Sequence, residues 1–242
     1  MKPRRVFTQI WRINALIILV GGLAASGLLV FSVLMVIIQA TTRSGSVENV
    51  VNVSRDRPIA ATTELGNFER IDKTAILRAP LYLVQDYDQG YGGRSFSKEA
   101  NSTQNYLFFD EAQKITYWLK PQTTALILAA NPLTTRTEAP AGTATTPPVG
   151  FLYLVVEADT NNDKRLTDAD RQSVAISDAS GLRFKPLIPA IDRLNGYSAV
   201  QDQQVSILYT VDNALMISEI NLQTQTIVRT TKAQTFAPAP KP

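Results

Sequence analysis

The sequence predicts an all-β exported domain of antiparallel meanders, propeller-like or a β-sandwich, preceded by one transmembrane α-helix. Three observations lead there. The run 13–40, INALIILVGGLAASGLLVFSVLMVIIQA, carries no charge, and at about 1.5 Å per residue it is long enough as a helix to cross a hydrocarbon core of roughly 30 Å. Beyond it, short stretches rich in Val, Ile, Tyr and Phe alternate with tight polar turns, which is the pattern of hairpin-connected strands. The same strand–turn–strand order returns at a spacing of about 50 residues, a period that marks repeated structural units.

The N-terminal elements come first. Lys2, Arg4, Arg5 and Arg12 precede the apolar run, with no acidic residue among them. This basic stub, 1–12, places the N-terminus in the cytoplasm by the positive-inside rule, although Arg43, Arg55 and Arg57 on the far side moderate the asymmetry. The expected location is a bacterial-type inner membrane, crossed once, with the C-terminal domain periplasmic or external. The run continues a dozen residues past the small pair Ala24 and Ala25, too far for a cleaved signal, so an uncleaved signal-anchor is expected. Gly21 with Ala25, and Gly22 with Ser26, form small-xxx-small pairs through which two spans could pack as a homodimer. No charged side chain lies within the run, so the span reads as an anchor rather than an ion path.

Charge and composition exclude several function classes. Of 24 Lys and Arg residues, four stand in the stub, leaving 20 against all 21 Asp and Glu. The exported region is nearly neutral, and nucleic-acid binding has no electrostatic footprint. The chain has no cysteine, hence no disulfide, and no histidine, the commonest general base and transition-metal ligand.

Along the exported region, 41–74 reads as a polar stalk, 75–232 as the all-β domain and 233–242 as an extended tail. The first strong strand is 76–85, ILRAPLYLVQ, where Pro80 indicates an edge or bulge. A loop rich in Gly, Asn and Ser, 86–104, follows. Three meanders come next: 105–110, 114–120 and 124–129; then 151–157, 173–178 and 182–187; then 205–212, 215–220 and 226–230. The Pro- and Thr-rich stretch 131–150 is an exposed excursion between them.

The strand ending in Asp or Glu, the tight turn, the second strand, the polar turn and the third strand, over roughly 105–231, resemble the blades of TolB-type periplasmic propellers. That resemblance implies a radial array of small sheets.

One motif carries chemistry. In DTNNDKRLTDAD, counting from Asp159, side-chain oxygens fall at Asp159, Asn161, Asp163, Thr167 and Asp170, with the Arg165 carbonyl at position 7 and Leu166 at position 8. This is the ligand spacing of a twelve-residue calcium loop. Asp159, Asn161 and Asp163 would face the ion from one side, Asp170 would close it from the other, and Thr167 would act through water while capping a short turn. The segment resembles the calcium loop of dockerin modules, with a departure at Lys164, where those modules have a glycine. A cation here would be structural Ca2+. The alternative is a hydrophilic hairpin loop with no metal.

Other candidates are weaker. Gly90, Gly92 and Gly93 lack a phosphate-loop lysine and helix, Asp86 and Asp88 could join a second cation site, and Tyr117 with Trp118 read as core and face residues. The function expected is a membrane-anchored binding or scaffold module of the cell envelope, not an enzyme, contacting an envelope partner. Two rivals stay open: a calcium-dependent envelope hydrolase using paired carboxylates, and a small accessory subunit bound through its transmembrane helix.

Overall fold

A computed structural model describes residues 11, 15–23, 25–29, 31–32, 47–54, 60–88, 97–122, 124–135 and 146–233. The chain forms two compact units, Met1–Gly45 and Ser46–Pro242. In the first, residues 11, 15–23, 25–29 and 31–32 are helical. Among the described residues no helix is long and apolar enough to cross a membrane; the rest of the expected span 13–40 lies outside them, as does the expected tail beyond 233.

The second unit is all β. Its first sheet is built on a long hairpin of β5 (Ile76–Asp88) and β6 (Ser97–Asp110). The short strands β3 (Ala61–Leu65) and β4 (Glu69–Arg70) line the free side of β5; β7 (Ile115–Trp118) lines β6 antiparallel and β1 (Val47–Glu48) lines it parallel. The second sheet is a meander in the order β8 (Leu126–Thr134), β9 (Pro148–Val156), β11 (Gln172–Asp178), β12 (Lys185–Ile191). The third runs β13 (Arg193–Tyr197), β14 (Gln204–Val211), β15 (Ala214–Asn221), β16 (Thr226–Lys232). A two-stranded ladder of β2 (Val51–Asn52) and β10 (Arg165–Leu166) stands beside them.

The middle sheet explains the core. Side chains alternate across a strand, so on β9 Leu152 packs toward one face while Phe151, Tyr153 and Val155 pack toward the other. Leu152 joins Val174, Ile176 and Ile188 against Val205, Ile207, Tyr209 and Ile220 of the third sheet. Phe151, Tyr153, Val155 and Ala175 meet Ile76 and Phe108 of the first sheet. A sheet buried on both faces requires apolar residues at successive positions, which is why FLYLVV is continuous rather than alternating. The outcome is three sheets stacked in series, in place of the two-layer sandwich that the sequence left open.

The turns follow local chemistry. Asp212 and Asn213 both sit at positive φ (48° and 62°) between β14 and β15, the geometry that a two-residue hairpin turn demands. After β6, Asp110 Oδ1 accepts the amides of Ala112 and Gln113 (2.8 and 3.1 Å), so a side chain organises that turn.

Four expectations change. The lead-in read as a polar stalk supplies the short strands β1, β2, β3 and β4, whose mostly polar residues bond by their backbones along β6, β10 and β5. The expected loop 86–104 is largely the outer half of the β5–β6 hairpin, with 89–96 outside the described residues. The excursion 131–150 contributes the end of β8 and the start of β9. Pro132 is accommodated because β8 is an edge strand, and Pro148 because it opens its strand. Finally, 124–129, expected to close the first meander, belongs to β8 and pairs with β9 in the second sheet, while β13, RLNGY, joins the third sheet without an apolar pattern to announce it.

Candidate functional site

The loop 159–170 connects the strongest strand of the middle sheet to its neighbour, and its side chains are spent on its own backbone. Asp159 accepts the amides of Asp163 (3.2 Å, Oδ1) and Lys164 (2.8 Å, Oδ2). Asn161 Oδ1 accepts the Asp163 amide at 2.9 Å, and Asp163 Oδ1 accepts the Arg165 amide at 2.9 Å. Asn161 Nδ2 donates to Asp163 Oδ2 at 3.3 Å. The chain thus coils about Asp159, Asn161 and Asp163, and the coil forces Asn162 and Lys164 to φ of 62° and 65°. Lys164 therefore occupies, at some backbone cost, the conformation that glycine would take freely.

The β2–β10 ladder clamps the end of the coil. The Val53 amide donates to the Lys164 carbonyl at 3.0 Å. Alternate residues of an antiparallel strand bond across the ladder, so the pleat turns the N–H and carbonyl of Arg165 away from β2. Leu166 is buried with Val51, Leu126 and Val156 in a small apolar cluster beneath.

Asp170 is fully buried and takes a role the spacing did not reveal. Its Oδ1 accepts the Thr160 amide (2.7 Å), the Thr160 hydroxyl (3.1 Å) and the Asn161 amide (3.3 Å), while Oδ2 accepts the Thr167 amide at 2.9 Å. Burial pushes its carboxyl up, but the amides of Thr167, Thr160 and Asn161 with the Thr160 hydroxyl outweigh it and hold the group below the usual carboxylate range. The structure brings Asp159, Asn161 and Asp163 together and sets Asp170 inward as a brace. Thr167 caps the short turn through the Ala169 amide (3.2 Å). Among the described residues no three Asp, Glu, His or Cys side chains converge as a metal cluster.

Thr160 is the residue that sequence reasoning missed. Its hydroxyl also accepts the Arg171 amide at 2.8 Å, so it ties the beginning of the loop to its end. Its only signal was its position beside Asp159. Elsewhere, Tyr117 stacks on Phe108 (5.7 Å, 4° between planes) and donates to the Ser180 carbonyl at 2.8 Å, while Trp118 is exposed. Asp86 and Asp88 lie on β5, and Gly90, Gly92 and Gly93 lie outside the described residues.

No protein-family model matches the chain, and no curated protein matches it significantly. Among solved structures it is similar to the β-propeller domain of the Trilobed protease from Pyrococcus furiosus, at 9% identity and a TM-score of 0.35. The match covers 72% of this chain and 44% of that one, so this chain spans less than half its length. These comparisons bring out neither TolB-type propellers nor dockerins.

Proposed function

We propose that this chain is a single-pass membrane-anchored protein of the cell envelope, its N-terminus cytoplasmic and its β unit held outside as a binding or scaffold module. One observation carries the reading. The consecutive helical residues Leu16, Ile17, Ile18, Leu19 and Val20 are 58–72% exposed, as are Leu23, Leu28, Leu29 and Phe31. At about 100° per residue, five successive positions encircle a helix. The apolar surface is therefore a full girdle rather than a stripe, and only an apolar medium or partner relieves its exposure to water.

Two further features support the finer parts. Successive meander sheets meeting face to face support a propeller-like array. Strand β16 is exposed along its whole length, and among the described residues it pairs only with β15, so its outer edge offers a template for strand addition by a partner. The loop 159–170 is proposed as a weak structural calcium site: Asp159, Asn161 and Asp163 would ligate through lone pairs left over from their amide contacts, with the Arg165 carbonyl, and Asp170 would brace them.

Fractionation of cells expressing the full chain tests the anchor. The chain stays in the membrane through an alkaline carbonate wash, and external protease cuts the β unit while sparing the stub. Release by carbonate, or recovery as a soluble protein, would overturn the reading.

A further inference from the structure

We infer that Val50–Val53 is a detachable strap whose seating clamps the loop 159–170, and whose release frees the end of that loop while the three sheets stay folded. The strap lies near the start of the β unit, which begins at Ser46. Asn49, at a φ of 61°, bends the chain between its pairing with β6 and its pairing with β10. Alternate residues of a strand then bond to opposite sides. On one side Val51 pairs with Leu166, and the Val53 amide donates to the Lys164 carbonyl.

On the other side, among the described residues, two side chains of the first sheet stand in for a neighbouring strand. The Ser102 hydroxyl accepts the Val50 amide at 3.0 Å and donates to the Val50 carbonyl at 2.9 Å. Gln85 Oε1 accepts the Asn52 amide at 2.8 Å, and Gln85 Nε2 donates to the Asn52 carbonyl at 3.2 Å. Both side chains are buried, on β6 and β5. They imitate the backbone of a ladder two residues long, and unlike a backbone they give it up by rotating.

Few contacts hold the strap beyond these. Its ladder with β10 is two residues long, and of its residues only Val51 is fully buried, against Leu126, Val156 and Leu166. Once the strap leaves, water satisfies the Ser102 hydroxyl and the Gln85 amide. A segment with so little buried apolar surface opens well below the free energy of global unfolding. The loop feels that opening because β10 pairs with no other strand among the described residues. Without β2, Leu166 loses its ladder and part of its apolar cover, and the Lys164 carbonyl loses the Val53 amide. Strap and loop end thus form one two-state element, and tension on the chain ahead of Ser46 reaches the loop through it. The device needs neither a membrane anchor nor a bound cation.

Hydrogen exchange of the full chain in detergent, read at single residues by mass spectrometry, tests the device. The amides of Val51, Val53 and Leu166 share one protection factor, at least about tenfold below those of β9 and β14. Ser102→Ala removes two bonds to Val50 and none to the loop. It lowers that protection about fivefold or more, the loss of roughly one net hydrogen bond. The drop appears at Leu166 as well as in the strap, while β9 and β14 keep theirs. Leu166→Ala, made from the loop side, lowers protection at Val51 and Val53 in return. Strap protection equal to that of β9, a Ser102→Ala effect that spares Leu166, or one that spreads to β9 and β14 would overturn the device and leave Val50–Val53 a fixed part of the fold.

Discussion

The Thr160 amide donates to Asp170 Oδ1 at 2.7 Å across ten residues of chain, and the Thr160 hydroxyl adds a second bond to the same oxygen at 3.1 Å. This pair closes the loop 159–170 on itself from below, while Asp159 closes it from above. A single buried carboxylate thereby serves three backbone amides.

Removing that carboxylate leaves buried donors unpaired. Asp170→Ala is expected to destabilise the β unit by about 3 kcal/mol, and Asp170→Asn by less because one acceptor oxygen remains. Denaturant unfolding of the full chain in detergent, followed by near-ultraviolet circular dichroism, measures both. The depressed carboxyl also sets a pH dependence. Its stabilisation is complete above the unfolded value of about 4 and is lost as pH falls through the lower folded value. Wild type should lose stability steeply below pH ~4, and Asp170→Asn should show a shallower loss.

Tyr153 gives the opposite dependence. It is completely buried, its hydroxyl bonded to Ser177 Oγ at 3.1 Å, and burial pushes its phenol far up. Only the unfolded chain ionises this phenol near pH ~10, so stability is retained below that value and declines as pH rises beyond it. Tyr153→Phe should cost about 1 kcal/mol at neutral pH and flatten the alkaline decline. Ser177 keeps its bond to the Asp178 carbonyl at 2.8 Å, which limits the loss.

Gly181 combines a φ of +81° with a Cβ position that falls on the Phe108 ring. Gly181→Ala must both strain the backbone and displace a fully buried aromatic side chain. A loss of about 2 kcal/mol or more is expected. Gly196→Ala, at a φ of +159° but with nothing within 4 Å of its Cβ position, carries backbone strain without a clash, so the extra loss of melting temperature in Gly181→Ala reports the collision with Phe108.

Millimolar calcium should raise the melting temperature of the full chain, and Asp159→Ala combined with Asp163→Ala should abolish the rise. An unchanged wild-type melting temperature would retire the metal and leave a loop held by its own amides.

Much of the local structure was legible. The runs KITYWLK, VSILYTVD and LMISEI carry β-branched and aromatic residues bounded by turn formers, and strands form at each. The loop spacing from Asp159 to Asp163 correctly marked a tight coil. What stayed hidden were short strands such as Val51–Asn52 and Glu69–Arg70. Two residues hold no periodicity: Val51–Asn52 forms only because Arg165 and Leu166 arrive from far along the chain, and Glu69–Arg70 only by folding back on Leu77 and Arg78 of the strand that follows.

By itself the amino-acid sequence determined the β character, the turns and the uncharged run near the N-terminus, because these rest on side-chain shape, backbone preference and hydropathy within a few residues. Tertiary structure alone decided that Leu152 and Tyr153 face different sheets, that Asp170 turns to Thr160, and that the Arg78 guanidinium stands between the Phe151 and Tyr106 rings. The first and last depend on which distant strands meet, and the Asp170–Thr160 contact on burial, which raises the cost of every polar atom left without a partner.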